Sequence, residues 1–419
     1  MGNLAKKILI TLALLAVYRV LAYVPVPGVN VEVIAQFFKS HAKDALGLLN
    51  MFSGNAVAQM SIIALGVMPY ITASIIMELM AATFKGLGEL KKDSQGFQKY
   101  MQIIKYATVL IAFIQAVGIS IGLTHMTGPN GVSAVTMDTL PFIVLSAFSM
   151  LGGTMFLVWI GEQITERGVG NGISLIIFAG IVSRIPAAIE NMIQLVDTGD
   201  LSPIGLALVL AIMVGVVLFI IYVELGERRI PVSYQKKILM QRRFKRLMNY
   251  IPIKVNLSGV IPPIFASAIL MAPLTILSGA TNPILVSIRD FFDPNGVPFH
   301  IVEFLLVIFF AYFYTSIVFN GKEIAENLKK QGGFIPGIRP GEETAKFLNR
   351  VASRLTFWGA LYLGAVTLLP WLLIKLVGIN FYFGGTAVLI VVQVAIDTMR
   401  KIQAQILMEK YNTLSVTGL

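Results

Sequence analysis

Ten segments of this chain are each long and apolar enough to cross a lipid bilayer. A membrane-spanning helix needs about 20 mostly apolar residues. The predicted spans cover residues 8–24, 66–83, 106–123, 139–160, 173–190, 204–223, 257–279, 301–320, 355–375 and 382–399. Only 13% of the 419 residues are charged and the mean hydropathy is +0.78, whereas a soluble domain carries about 25% charged residues. The sequence therefore predicts an all-α membrane protein with ten transmembrane helices.

Lysine and arginine are distributed unevenly between the loops that connect these segments. With the N-terminus inside, most of the 33 basic residues lie in inner loops or at the termini. Because short basic loops remain in the cytoplasm, both termini are predicted to be cytoplasmic. The apolar run that follows Lys6 and Lys7 resembles a signal peptide, but no small-x-small cleavage site follows it, so we interpret it as a retained first helix.

A short sequence recurs at the second span of each half of the chain. Gly66-Val67-Met68-Pro69 begins the second span, and Gly259-Val260-Ile261-Pro262 begins the seventh. Five spans per half, with Gly and Pro interruptions at matching places, predict two inverted five-helix halves around a central site. The predicted halves are residues 1–195 and 196–419. Gly and Pro are common in membrane helices, so coincidence is the alternative.

The residues needed for most catalytic sites are missing from the sequence. The chain has no cysteine, its three histidines have no metal-ligand spacing, and no GxxxxGK[ST] phosphate loop occurs. No GxSxG motif and no paired aspartates on facing spans indicate a protease. We therefore expect no enzymatic activity, cofactor or metal. The main alternative class is a secondary solute transporter with intramembrane charges, for which the candidates are Arg19, Glu78, Arg184 and Glu303.

Two inner loops, residues 226–256 and 320–350, are longer and more basic than orientation alone requires. Their candidate docking residues are Arg228, Arg229, Lys236, Lys237, Arg242, Arg243, Lys245, Arg246 and Arg339. One interpretation is the positive-inside bias combined with binding of anionic lipids. The other, which the loop lengths favour, is a docking platform for an acidic or RNA-rich cytoplasmic partner.

A moderately apolar segment, residues 46–60, follows the first span and is too short to cross the bilayer. Such a segment is typical of a re-entrant or cavity-filling element. A surface amphipathic helix fits its length equally well.

Five long segments of the sequence resemble the signature segments of the bacterial SecY family. They are residues 50–80, 161–182, 254–270, 327–348 and 381–392, and the resemblance extends from the first span to the tenth. It implies a clamshell of two five-helix halves around an hourglass-shaped pore that conducts unfolded polypeptides across the bacterial inner membrane. It also implies that transmembrane segments leave laterally into the bilayer.

The resemblance implies three sets of functional residues. The pore ring would comprise Val67, Ile71, Ile173, Ile177, Ile264 and Ile390. The plug would lie at about residues 46–60, centred on Phe52, Ser53, Gly54, Asn55, Ala56 and Val57. The lateral gate would comprise Gly66, Pro69, Glu78, Asn256, Gly259 and Pro262. Glu78 departs from the family pattern, because many relatives have glutamine at that position.

The resemblance also implies an external energy source, in agreement with the missing nucleotide loop. Family members work with the SecA ATPase or a translating ribosome, which dock on the two basic loops, and Arg339 fits the arginine that couples them. The membrane partners would be SecE and probably SecG. Signal peptides, unfolded preproteins and anionic lipids complete the expected partners.

Overall fold

The computed structural model describes residues 3–34, 56–124, 132–199, 202–234, 250–277, 286–287, 291–293, 296–377 and 385–416. Its principal helices are α1 (Asn3–Leu21), α2 (Met68–Thr83), α3 (Lys85–Lys92), α4 (Ser94–Thr124), α5 (Thr139–Arg167), α6 (Gly172–Val182), α7 (Ile185–Asp197), α8 (Pro203–Leu225), α9 (Ile261–Leu277), α10 (Val297–Val318), α11 (Gly321–Lys330), α12 (Glu342–Val377) and α13 (Gly385–Val416). Its strands are β1 (Glu227–Pro231), β2 (Ser233–Tyr234), β3 (Tyr250–Lys254) and β4 (Gly333–Phe334).

Long apolar helices make up most of the described chain, as the sequence predicts. Within the described residues, 6 helices are long and apolar enough to cross a membrane. They are Gln95–Thr124, Thr139–Arg167, Gly172–Gln194, Pro203–Leu225, Val297–Lys330 and Glu342–Leu373. Two further apolar helices, Met68–Thr83 and Ile261–Leu270, are shorter. The chain is a multi-pass all-α membrane protein, and the total of ten spans stays a prediction.

The predicted span at residues 173–190 consists of two helices. Helix α6 ends at Val182 and α7 begins at Ile185, with Ser183 and Arg184 between them. Pro186 lies in the first turn of α7 and has no backbone N–H to donate to the carbonyl of Val182. The predicted span therefore contains a break at residues 183–184, and the two helices together form the candidate membrane span Gly172–Gln194.

The two Gly-Val-x-Pro sequences adopt the same local conformation. Gly66 has φ +58° and Gly259 has φ +63°, in the left-handed region that glycine enters without strain. Helices α2 and α9 each begin two residues later, which places Pro69 and Pro262 in the first helical turn. A proline there loses no helical hydrogen bond. These prolines therefore lie at the starts of their helices. The sequence analysis had treated them as interruptions of the spans.

Contacts divide the chain into two compact units. The first contains Met1–Leu206, Ser267–Ile301 and Ile390–Leu419, and the second contains Ala207–Ala266 and Val302–Leu389. Buried side chains from the segment after α1, from the segment before α2 and from α4 and α5 form a core in the first unit, including Val26, Met60, Leu123, Phe142 and Met150. The predicted boundary between halves, at residue 195, stays a prediction.

Candidate functional site

The two basic loops that the sequence analysis predicted to be cytoplasmic are joined by a small β-structure in the second unit. Strands β1 and β3 are antiparallel, with a register that runs from Glu227 opposite Lys254 to Pro231 opposite Tyr250. Strand β2 pairs with β4 of the other loop, Ser233 opposite Phe334. We call the described parts of residues 226–256 and 320–350 the platform. Its two loops form one folded element through the β2–β4 pair.

The platform has its own hydrophobic core. The buried members come from both loops and are Ile230, Val232, Ile253, Leu328, Ile335 and Leu348. The second loop is largely helical: α11 lies within it, and the first residues of α12 extend from it, after Gly341 with φ +105°. Glu342 and Glu343 in the first turn of α12 favour a helix start there, because they complement the helix dipole. The sequence analysis treated these segments as two loops and predicted no pairing between them.

The described basic residues of the platform differ in their contacts. Arg228 and Arg339 are exposed. Arg229 donates from Nε to Glu227 Oε1 at 2.7 Å, and its guanidinium lies 4.9 Å from the centre of the Tyr250 ring. The hydrogen bond that Arg229 donates to Glu227 raises the pKa of Arg229 above its usual value, so this side chain remains cationic. The other predicted docking residues, Lys236, Lys237, Arg242, Arg243, Lys245 and Arg246, lie outside the described residues.

The predicted pore-ring residues lie immediately before helices or within their first two turns. Val67 immediately precedes α2, and Ile71 donates its backbone N–H to the Val67 carbonyl at 3.1 Å. Ile264 makes the equivalent bond to Val260 at 3.4 Å in α9. Ile71 and Ile264 therefore occupy corresponding positions after the two Gly-Val-x-Pro turns. Ile390 lies in the second turn of α13 and is 1% exposed.

Ile173 and Ile177 lie one turn apart on α6, next to a close approach between α5 and α6. A Cβ atom on Gly161 would lie 2.6 Å from Cδ1 of Ile173, and a Cβ on Gly172 would collide with the Gly161 carbonyl. Because Gly161 and Gly172 have no Cβ atoms, α5 and α6 can approach closely at the turn between them. Ile173 therefore packs against α5. The convergence of the six predicted ring residues around one pore stays a prediction.

The predicted plug is described only at its C-terminal end. Phe52, Ser53, Gly54 and Asn55 lie outside the described residues, and Ala56 and Val57 are buried. Backbone bonds anchor this end to the chain after α1: Val26 N–H donates to Met60 at 2.8 Å and Ile62 N–H to Val24 at 3.0 Å. Residues 56–60 thus form a fixed attachment, and the role of residues 46–60 as a plug stays a prediction.

The predicted gate residues have defined local roles. Glu78 on α2 forms an ion pair with Lys91 of α3, Oε1 to Nζ 3.3 Å, with both side chains partly exposed. Asn256 is 3% exposed and lies between β3 and α9. Gly66 and Pro69 lie at the start of α2, and Gly259 and Pro262 lie at the start of α9. Glu78 lies further along α2, and Asn256 precedes α9. Their action as a lateral gate stays a prediction.

Glu224, near the end of α8, was missed by the sequence analysis. It is 3% exposed, and its Oε1 accepts a hydrogen bond from Nδ2 of Asn256 at 2.7 Å. A carboxylate is expensive to bury unless it is hydrogen-bonded, so a buried glutamate at this place needs a structural or functional reason. The sequence did contain a signal for this residue, because Glu224 is an acidic residue in the last turn of the strongly apolar helix α8.

The charged residues considered for a solute carrier are scattered over several elements. Arg19 donates to the Tyr23 hydroxyl at 3.3 Å, Arg184 lies at the break between α6 and α7, and Glu303 is buried on α10. Within the described residues no group of three or more His, Asp or Glu side chains could hold a metal ion.

Comparison with known proteins gives one consistent family. The SecY family profile matches residues 61–399 of this chain. Protein translocase subunit SecY of Helicobacter pylori strain J99 is 61% identical over 99% of both chains. Two solved structures share the fold at TM-scores of 0.66 and 0.65, with 18% and 19% identity, each over 96% of this chain and 92% of the other. The first is a protein-conducting channel, and the second concerns a SecY plug domain that stabilises the closed state of the translocation channel.

Proposed function

This chain belongs to the SecY family, and we propose that it forms the protein-conducting channel of a bacterial Sec translocase. The channel moves unfolded, signal-bearing polypeptides across the inner membrane and releases transmembrane segments laterally into the bilayer. The observation that carries this proposal is the near full-length 61% identity to a protein translocase subunit SecY. The shared channel fold supports it.

The proposed mechanism uses three parts of the chain. The aliphatic ring at Val67, Ile71, Ile173, Ile177, Ile264 and Ile390 blocks ions, because a narrow apolar constriction loses its water. The segment at residues 46–60 seals the resting channel as the plug, attached through residues 56–60. Helices α2 and α9 open as the lateral gate, and a signal sequence that binds between them stabilises the open state by its higher affinity for that state.

The channel itself supplies no chemical energy in this proposal, and we assign it no catalytic residue and no cofactor. The energy comes from the SecA ATPase or a translating ribosome, which dock on the platform. SecE and probably SecG assemble with the chain in the membrane, and anionic lipids contact its basic inner surface. The single folded platform supports this arrangement, because one partner then engages basic residues of both loops together.

The test is reconstitution of the chain with SecE and SecA into liposomes. We expect ATP-dependent protection of a signal-bearing preprotein from added protease, and no protection without SecA. If the assembled complex gives no protection, and a small solute is instead accumulated without any partner, the solute-carrier alternative is correct and Glu78 becomes its first candidate residue.

Charge reversal on the platform is expected to weaken docking without unfolding the protein. In the double variant Arg228→Glu and Arg339→Glu, both changed side chains are exposed, so the fold should be unaffected. Each lost cation removes a favourable long-range interaction with an acidic partner, and we expect SecA affinity to fall about tenfold or more at low salt. The dissociation constant of SecA from proteoliposomes that contain each variant, measured at equilibrium, gives this change in affinity.

The matched control replaces the same two residues by lysine, which retains the charge. The lysine variant should bind SecA within a small factor of the wild-type chain. Equal affinity of the glutamate variant and the wild type would show that these arginines do not take part in docking.

A further inference from the structure

A buried polar cluster lies where the platform meets the start of α9. Asn256 donates from Nδ2 to Oε1 of Glu224 at 2.7 Å and to the carbonyl of Gly259 at 3.0 Å. Its Oδ1 accepts from the Ser258 hydroxyl at 3.1 Å. We call Glu224, Asn256, Ser258 and Gly259 the junction. The three side chains are each less than 5% exposed.

Five elements meet at the junction: α8, β1, β3, α12 and the start of α9. Helix α8 ends at Leu225 immediately before β1, and the Val255 N–H donates to the Gly226 carbonyl at 3.0 Å, which continues the β1–β3 pairing up to Asn256. A Cβ on Gly359 would lie 2.9 Å from the Val255 carbonyl, so this glycine allows α12 to approach closely. The hydroxyl-bearing Tyr362 of α12 lies near the Glu224 carboxylate.

The junction fixes the backbone from which α9 starts. Gly259 has φ +63°, and the helix begins two residues later at Ile261. Asn256 holds the Gly259 carbonyl with the same amide nitrogen that binds Glu224. A displacement of β3 relative to α8 would break the amide–carboxylate bond, whereas the bond from Asn256 to Gly259 lies within one segment and would carry the turn before α9 along with β3.

We infer that Glu224 is a positioning residue that, through Asn256, holds α9 in its resting orientation and couples the platform to this helix. The inference rests on the proposed function, in which α9 is part of the lateral gate. A hydrogen bond from an amide to a buried carboxylate is stronger than one between neutral groups, and its loss removes one of the contacts that compensate the burial of Glu224. The junction thus favours one arrangement of α9 until a force on β1 and β3 disrupts it.

The test exchanges the two partners. Asn256→Asp places a second carboxylate against Glu224 and replaces a donor by an acceptor, so the two groups repel. The double variant with Glu224→Gln restores an amide–carboxylate pair in the opposite direction. We expect N256D to raise the translocation of a signal-defective preprotein, relative to a signal-bearing one, by about tenfold or more. The double variant restores the pair with residue 224 but not the bond to the Gly259 carbonyl, so it should recover part of the wild-type selectivity.

A second measurement needs neither partner nor transport. The chain has no cysteine, so an environment-sensitive dye on Ile269→Cys reports on α9 alone, at a position that is 43% exposed. We expect the emission to change in N256D and to return in part in the double variant, because the bond to the Gly259 carbonyl is not restored. Should N256D fail to assemble, Glu224→Ala removes the acceptor without adding a charge, and the same change in emission is expected.

The outcomes separate the two proposals. If the wild-type complex does not transport preprotein, the proposed function fails, while the dye still tests the junction. If the wild type transports but N256D has unchanged selectivity and unchanged emission, the junction does not position α9. If Glu224→Ala, which keeps the bond from Asn256 to Gly259, leaves both the selectivity and the emission unchanged, Glu224 does not act through Asn256, which would also overturn the inference.

Discussion

Replacing Ile390 by asparagine is expected to make the resting channel leak ions. Ile390 is 1% exposed, and in the proposed ring an amide would hold water in a constriction that otherwise dewets. We expect the resting conductance to rise about tenfold or more, since each ~1.4 kcal/mol removed from a barrier is a factor of ten in rate. Single-channel recording in planar bilayers measures this directly, and Ile71→Asn should act in the same direction.

The matched control is Ile390→Val, which removes one methylene group and adds no polar atom. It should remain electrically silent, although it lowers the packing stability slightly. A silent Ile390→Asn channel, in protein shown to be folded and assembled, would place Ile390 in the ordinary core rather than in the ring. A leak from both variants would mean that packing, and not polarity, closes the channel.

Truncation of Leu348 is expected to unfold the platform while the membrane helices remain assembled. Leu348 is 0% exposed and belongs to the core that both inner loops share. Leu→Ala changes in such cores cost about 2–5 kcal/mol, which is large for an element this small. We expect protease cleavage within the platform to become at least about tenfold faster, because cleavage follows local opening. SecA binding should fall in parallel.

Lys346→Ala is the control on the same helix. Lys346 is exposed and forms surface ion pairs with Glu342 and Glu343, so its removal should leave the cleavage rate close to that of the wild type. If Leu348→Ala is cleaved no faster than the control, the two loops do not depend on a common core. If cleavage accelerates but SecA still binds normally, docking does not require the folded platform.

The sequence predicted the class of this protein because the bilayer imposes a simple requirement. A backbone inside lipid must satisfy its hydrogen bonds within the helix, so the lengths of the apolar segments and the uneven loop charges indicate helical spans and orientation directly. Helix α8, Pro203–Leu225, closely matches the predicted span at residues 204–223. The repeated Gly-Val-x-Pro sequences were also recognised, although their conformation as helix starts required the observed φ values.

The sequence by itself determined that this is an all-α multi-pass membrane protein of the SecY family with two long basic loops between its helices. Tertiary structure alone decided how distant segments meet. The β2–β4 pair joins loops about 100 residues apart, and the Glu224–Asn256 bond joins α8 to the start of α9 across 32 positions. Hydropathy depends on each residue and its neighbours, whereas these contacts depend on the path of the whole chain, so no local pattern contains them.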